Sequence, residues 1–301
     1  MEQIDADNRE SVFFYSGGAK LAAELFFPTA PPPREEGYPA VVVCHGWGGI
    51  KKFFVGDIAR ALAAQGFVSI AFDFRGFGES EGQRHRIFPL EQVADTRAAI
   101  AYLTTRPEVD SSRIAAYGTS FGGGIALEAA SWDERIKATV CAVGIGNCEN
   151  WLRGLRPYWQ WLEFRERLAQ DEIRRVTTGE SELVEPEEIM VRDPKALDNE
   201  AKLRAQYPDR AFKLTLESGQ AVLDFKPIER VQLISPRGTM FIGIKEDALC
   251  PIDETLALYQ RALEPKRFLV LRGLSHHEIY EPQHILGVLE TCAAFFRECM
   301  A

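Results

Sequence analysis

The six cysteines of this 301-residue chain include no Cys-x-x-Cys pair. Cys44, Cys141, Cys148, Cys250, Cys292 and Cys299 are scattered, four of them in or beside apolar runs, and read as buried reduced thiols. Long apolar runs are missing too: none approaches the roughly 18 residues that a membrane span needs. The opening stretch MEQIDADNRE is acidic and polar. It lacks the basic start and apolar centre of a secretory signal. No segment is dense in Lys or Arg, and the formal net charge of −9 argues against a nucleic-acid partner. These absences point to a soluble cytoplasmic protein. They leave open whether it forms a homo-oligomer.

The rest of the composition is ordinary, with 46% hydrophobic and 26% charged residues. The length suits one large α/β domain or a domain carrying an insertion, and a core of that size needs no disulfide or structural metal. SVFFYSGGAKLAAELFFP reads as two strands around a Gly17-Gly18 turn. Short β-branched runs then recur at 40–45, 67–72, 113–118, 137–144, 239–244 and 267–271, with little alternation, as strands buried on both faces should show. Amphipathic stretches at 55–66, 89–106, 122–131, 253–263 and 285–299 lie between or after them. Alternation of this kind predicts a mostly parallel, doubly wound sheet with an N-terminal antiparallel hairpin. The rhythm breaks over 147–235, which is rich in charge and aromatics and has no convincing β run. The expected organisation is a core formed by 1–146 and 236–301, with a helical cap inserted at 147–235 over the C-terminal edge of the sheet.

The strongest local signal is Gly118-Thr119-Ser120-Phe121-Gly122. The run RIAAY ends at Gly118 and a helix-like GGGIALEAA follows Phe121, so Ser120 falls on a strand-to-helix turn. A serine on such a sharp turn projects its hydroxyl from the sheet, and flanking glycines leave room for the turn. The N–H of Phe121, at the helix start, points where a negative oxygen would develop.

A serine needs a base held by a third group, and the fold that uses this kind of turn orders the three as serine, acid, histidine. Three histidines follow Ser120: His276, His277 and His284. His276 and His277 lie in a loop after the strand RFLVL; His276 is favoured as the base and His277 is the alternative. His284 reads as a surface residue. For the acid, TMFIGI leads into Lys245-Glu246-Asp247. Asp247 is the choice and Glu246 the alternative, while Asp253 reads as an N-cap of the next helix. Upstream, AVVVC opens into His45-Gly46-Trp47-Gly48-Gly49, where the N–H of Trp47 would be the second oxyanion donor and its indole would wall the acyl pocket. His45 reads as a structural hydrogen-bonder, and Asp73 and Arg75 in DFRGFGES as ties for their loop. Trp151, Tyr158, Trp159, Trp161 and Phe164 are pocket candidates, although such a stripe is more often packing.

Together, strand-HGWGG, DFRGFGES, GTSFG, a late strand ending in Asp and a last loop with G-x-S-H resemble the α/β-hydrolase superfamily over most of the chain. The opening hairpin with HGWGG and DFRGFGES is similar to dienelactone-hydrolase-like and Xaa-Pro-peptidase-like esterases. The resemblance implies a Ser120–Asp247–His276 triad, oxyanion donors on Trp47 and Phe121, acyl transfer to water, and neither metal nor organic cofactor. A carboxylesterase acting on a small-molecule substrate is the leading expectation. An amidase, peptidase or C–C hydrolase would share the triad, and a non-catalytic binding relative would lack one of its members.

Overall fold

The computed structural model describes residues 8–207 and 213–301, so most of the acidic opening stretch lies outside the described residues. Its first two strands, β1 (Arg9–Ser16) and β2 (Ala19–Phe26), pair antiparallel around Gly17 and Gly18. Both glycines hold positive φ (55° and 86°), the backbone a two-residue hairpin turn demands. β1 alternates: Val12 and Phe14 are buried while Phe13 and Tyr15 face outward.

The chain then follows the expected rhythm: β3 (Tyr38–Cys44), α1 (Phe54–Ala64), β4 (Val68–Phe72), α2 (Pro89–Leu103), β5 (Val109–Thr119), α3 (Phe121–Trp132) and β6 (Ile136–Ala142). The insertion after β6 holds α4 (Cys148–Gly154), α5 (Tyr158–Thr178), β7 (Leu183–Val184), α6 (Pro186–Ile189), α7 (Pro194–Gln206), β8 (Leu214–Thr215) and α8 (Glu217–Leu223). β9 (Gly238–Ile244), α9 (Ile252–Arg261), β10 (Lys266–Leu271) and α10 (Pro282–Cys299) complete the chain. Eight strands form one sheet in the order β1-β2-β4-β3-β5-β6-β9-β10, parallel from β4 onward.

Continuous apolar runs work here because each strand feeds two cores. Val42 and Cys44 face the layer that holds α2 and α3, whereas Val41 and Val43 face the layer of α1 and α10. Each fully buried aliphatic side chain contributes roughly 1.5–3 kcal/mol relative to exposure. β10 departs from the two-sided burial expected of it: it closes the edge of the sheet and is only half-buried. In the insertion, the two-residue strands β7 and β8 pair with each other, a contact too short to leave a periodic signal. Along α5, Trp161, Phe164, Leu168 and Asp171 form the buried stripe, at spacings of three and four. Among the described residues, no helix is long and apolar enough to cross a membrane.

Candidate active site

β5 ends at Thr119 and α3 begins at Phe121, which leaves Ser120 to make the turn, with φ 56° and ψ −130°. A non-glycine residue held there costs on the order of 1–3 kcal/mol and persists only where its surroundings impose it. Ser120 N–H donates to the Ala142 carbonyl at 2.8 Å, and the Ser120 carbonyl accepts from Gly123 N–H at 2.9 Å. The motif glycines are steric requirements: a Cβ on Gly118 would collide with the Gly122 carbonyl, and one on Gly122 with the carbonyls of Cys44 and His45.

His276 Nε2 lies 3.0 Å from Ser120 Oγ, and His276 Nδ1 lies 2.7 Å from Asp247 Oδ2. Asp247 Oδ1 accepts the N–H groups of Leu249 (2.9 Å) and Cys250 (2.8 Å), so both carboxylate oxygens are engaged in a buried position. Burial alone would disfavour a charge on His276, but its pKa is raised well above the ordinary 6.5. Cys250 and Asp247 both favour the imidazolium, and near neutral pH the effective partner is Asp247, because burial pushes the Cys250 thiol up and keeps it uncharged. Cys250 Sγ stands 3.7 Å from Ser120 Oγ.

His277 takes a different position. Burial, with His276 and Arg192 nearby, lowers its pKa to about 3, so it is a neutral wall residue. Glu246 accepts the Gly273 N–H at 2.9 Å, away from the imidazole. His284 lies on α10, half-exposed, with Glu281 at 4.0 Å. The N-cap expected at Asp253 is corrected: α9 is capped at Pro251, and Asp253 sits inside the first turn, where its charge meets the positive helix end.

The loop after β3 reaches the serine directly. A Cβ on Gly46 would stand 3.0 Å from Ser120 Cβ and 3.4 Å from its Oγ, so a side chain there would crowd the serine, and Trp47 follows immediately. Phe121, as the first residue of α3, has an N–H with no acceptor within its helix. His45 accepts the Phe74 N–H at Nε2 (3.5 Å), a contact within the loops. Asp73 accepts the Lys51 and Glu79 N–H groups, and Arg75 is clamped on Asp95 and Ser16, so both tie loops down.

A cavity opens over Ser120 and His276 and is lined by Trp47, Phe53, Phe54, Met190, Leu203 and Leu249 together with the Arg192–Glu200 ion pair (3.0 Å). Trp47 is therefore a wall. Trp151 lies behind that wall, edge-on to Trp47 (6.1 Å), and donates its indole N–H to the Leu249 carbonyl at 2.7 Å. Trp161 is buried within the insertion against Phe164 (6.1 Å). Tyr158 and Trp159 sit on the opposite face of α5, 62% and 58% exposed, and do not line the cavity. Sequence reasoning missed Phe53 and Phe54, which stand only a few residues past HGWGG, and Met190, Arg192, Glu200 and Leu203, which carry no local signal. Among the described residues, no three His, Cys, Asp or Glu side chains are grouped to hold a metal.

Comparison with known proteins agrees with this fold. The uncharacterized protein YcjY of Escherichia coli strain K12 is 29% identical over 93% of this chain and 94% of its own. A thiohydrolase of Eupenicillium brefeldianum is 27% identical over 90% of this chain and 88% of its own. The crystal structure of a hypothetical protein of Pseudomonas aeruginosa, PA2218, superposes with a TM-score of 0.83 at 26% identity, covering 98% of this chain and 95% of that one. A family model for the alpha/beta hydrolase fold matches residues 39–281, and the chain belongs to that family.

Proposed function

We propose that this protein is a serine hydrolase that cleaves a carboxylic ester, or a related acyl bond such as a thioester, through an acyl-enzyme on Ser120. The observation that carries the reading is the unbroken hydrogen-bond chain from Asp247 through His276 to Ser120 Oγ, at the floor of an apolar cavity. Nδ1–H donates to Asp247, which leaves the Nε2 lone pair facing the serine hydroxyl. His276 takes that proton as Ser120 Oγ bonds the substrate carbonyl carbon. The N–H groups of Trp47 and Phe121 then receive the oxyanion, and each is worth on the order of 100-fold in turnover. As the bond to the leaving group breaks, the leaving atom takes the proton from His276. Water, deprotonated in turn by His276, releases the acid and restores Ser120. The insertion acts as a cap: Met190, Arg192 and Leu203 complete the cavity from above.

Ester and thioester substrates fit the family and the thiohydrolase relative. The test is labelling by a fluorophosphonate probe, with Ser120→Ala as control. One label on Ser120, absent in the variant, together with turnover in a panel of esters, thioesters and amides, is the expected result. Absence of labelling in well-folded protein would overturn the catalytic reading, and turnover confined to amides would reassign the bond.

A further inference from the structure

A second depression adjoins the catalytic cavity and shares Phe53, Phe54, Leu203, His277 and Tyr280 with it. It runs between α1, the insertion's α7 and α10, with Ala61 and Ala64 on one side and Ile285 and Leu286 on the other. The shared wall is well ordered by contacts: Tyr280 stacks on Phe54 at 4.3 Å and 11°, and its hydroxyl meets Thr119 Oγ1 at 2.7 Å. Phe53 packs on Tyr207 at 5.4 Å, which ties the end of α7 to the same wall.

Resting on the serine-hydrolase reading above, we propose that this groove is the leaving-group subsite and that the natural leaving group is an uncharged, elongated, largely apolar alcohol or thiol. The direction follows from the proton. The leaving atom must come within hydrogen-bond reach of His276 Nε2 to receive it, so the chain attached to that atom departs past the neighbours of His276. Those neighbours, His277 and Tyr280, form the mouth of the groove. The acyl chain, attached to the same carbon whose oxygen faces Trp47 and Phe121, is left with the inner cavity under Met190 and Leu249.

The lining sets the chemistry. Small and aliphatic side chains on α1 and α10 gain from covering methylenes and offer nothing to a polar chain. α1 flanks the groove for roughly 15 Å, room for a chain of about eight to ten carbons. The charged groups at the rim are Asp57, Glu281 and Arg60, two carboxylates against one guanidinium, and Arg60 is already held by Asp57 at 2.9 Å. A polyanionic arm such as a nucleotide-bearing thiol is therefore disfavoured.

The experiment varies the leaving group and keeps the acyl group constant. kcat/KM is measured for the acetate esters of methanol, butanol and octanol and for the matching S-alkyl thioacetates, with the intact protein. The expected result is a rise of roughly tenfold or more from methyl to octyl, with the steeper of the two series identifying alcohol or thiol. Ala61→Phe fills the groove, and Leu286→Asp, at an exposed site that cannot unfold the core, makes it polar. Each should flatten the octyl-to-methyl ratio. Turnover with no dependence on leaving-group length, or a dependence that survives both substitutions, overturns the groove but leaves the serine-hydrolase reading intact. Absence of turnover on every ester and thioester, with no probe label on Ser120, removes both.

Discussion

At the scale of single residues, Asp247 shows how a site is assembled from few groups. One oxygen meets His276 Nδ1 at 2.7 Å, while Nε2 faces Ser120, and the other is held by two backbone N–H groups of its own loop. Asp247→Asn keeps the shape and removes the charge. It is expected to lower kcat by roughly 10³–10⁴-fold. It should also move the acidic limb of the pH profile. In the proposed mechanism His276 serves as base only when neutral, and Asp247 favours its charged form. Removing the carboxylate lowers the His276 pKa, so the limb shifts to lower pH. A pH series of kcat/KM for both proteins checks the sign, and an upward shift would contradict it. Sequence reasoning can favour His276 over His277 without deciding between them, because adjacent residues in a loop are sorted only by how the chain turns. Here the turn brings His276 onto Asp247 and leaves His277 in the cavity wall.

At the scale of elements, the turn between β5 and α3 is the most local part of the site and the most legible. Its two glycines and one strained serine are fixed by contacts within a few residues and with the end of β3. Gly118→Ala would drive a methyl into the Gly122 carbonyl, and a loss on the order of 2–4 kcal/mol of folding stability is expected, read from denaturant unfolding. Gly46→Ala differs in kind. Its methyl would meet the Ser120 side chain at 3.0 Å, so turnover should fall by more than tenfold while the unfolding midpoint moves little. Equal stability losses in the two variants would show that Gly46 serves the fold and not the serine. The aromatic stripe of α5 shows where pattern reading reaches its limit. Residues 161, 164 and 168 share the buried face at helical spacing, while Tyr158 and Trp159 fall on the other side. Periodicity shows which face is buried, but not whether that face meets a cavity or another helix.

At the scale of the whole molecule, the insertion holds its own cavity-facing segments in place through buried charge as well as apolar contact. Arg192 pairs with Glu200 at 3.0 Å, both side chains 3% exposed, and Glu200 also accepts from Arg204 at 3.1 Å. A buried pair of this kind adds little net stability, but removing one partner strands the other. Glu200→Ala is expected to cost about 3 kcal/mol and to loosen α7 from the cavity. Denaturant unfolding measures the first, and limited proteolysis of the 147–235 segment measures the second. A variant as stable and as protease-resistant as the parent would show that apolar packing alone holds α7 in place. Arg156 contributes to the same placement: it lies over the Phe164 ring at 4.1 Å and donates to the Ile189 carbonyl, next to cavity-lining Met190.

The amino-acid sequence by itself determined the alternation of strands and helices and the serine turn, and it raised the expectation of an insertion at 147–235 and of the order serine, acid, histidine. The alternation, the break and the serine turn rest on short-range physics, hydrophobic periodicity and the steric freedom of glycine, whereas the order serine, acid, histidine rests on the resemblance to the α/β-hydrolase superfamily. Tertiary structure alone decided which histidine meets Asp247, that β10 is a half-buried edge, and that Met190, Arg192, Glu200 and Leu203 arrive at the cavity from well over sixty residues beyond Ser120. Those contacts depend on how helices of the insertion pack, and packing joins residues whose separation along the chain leaves no periodic trace in it.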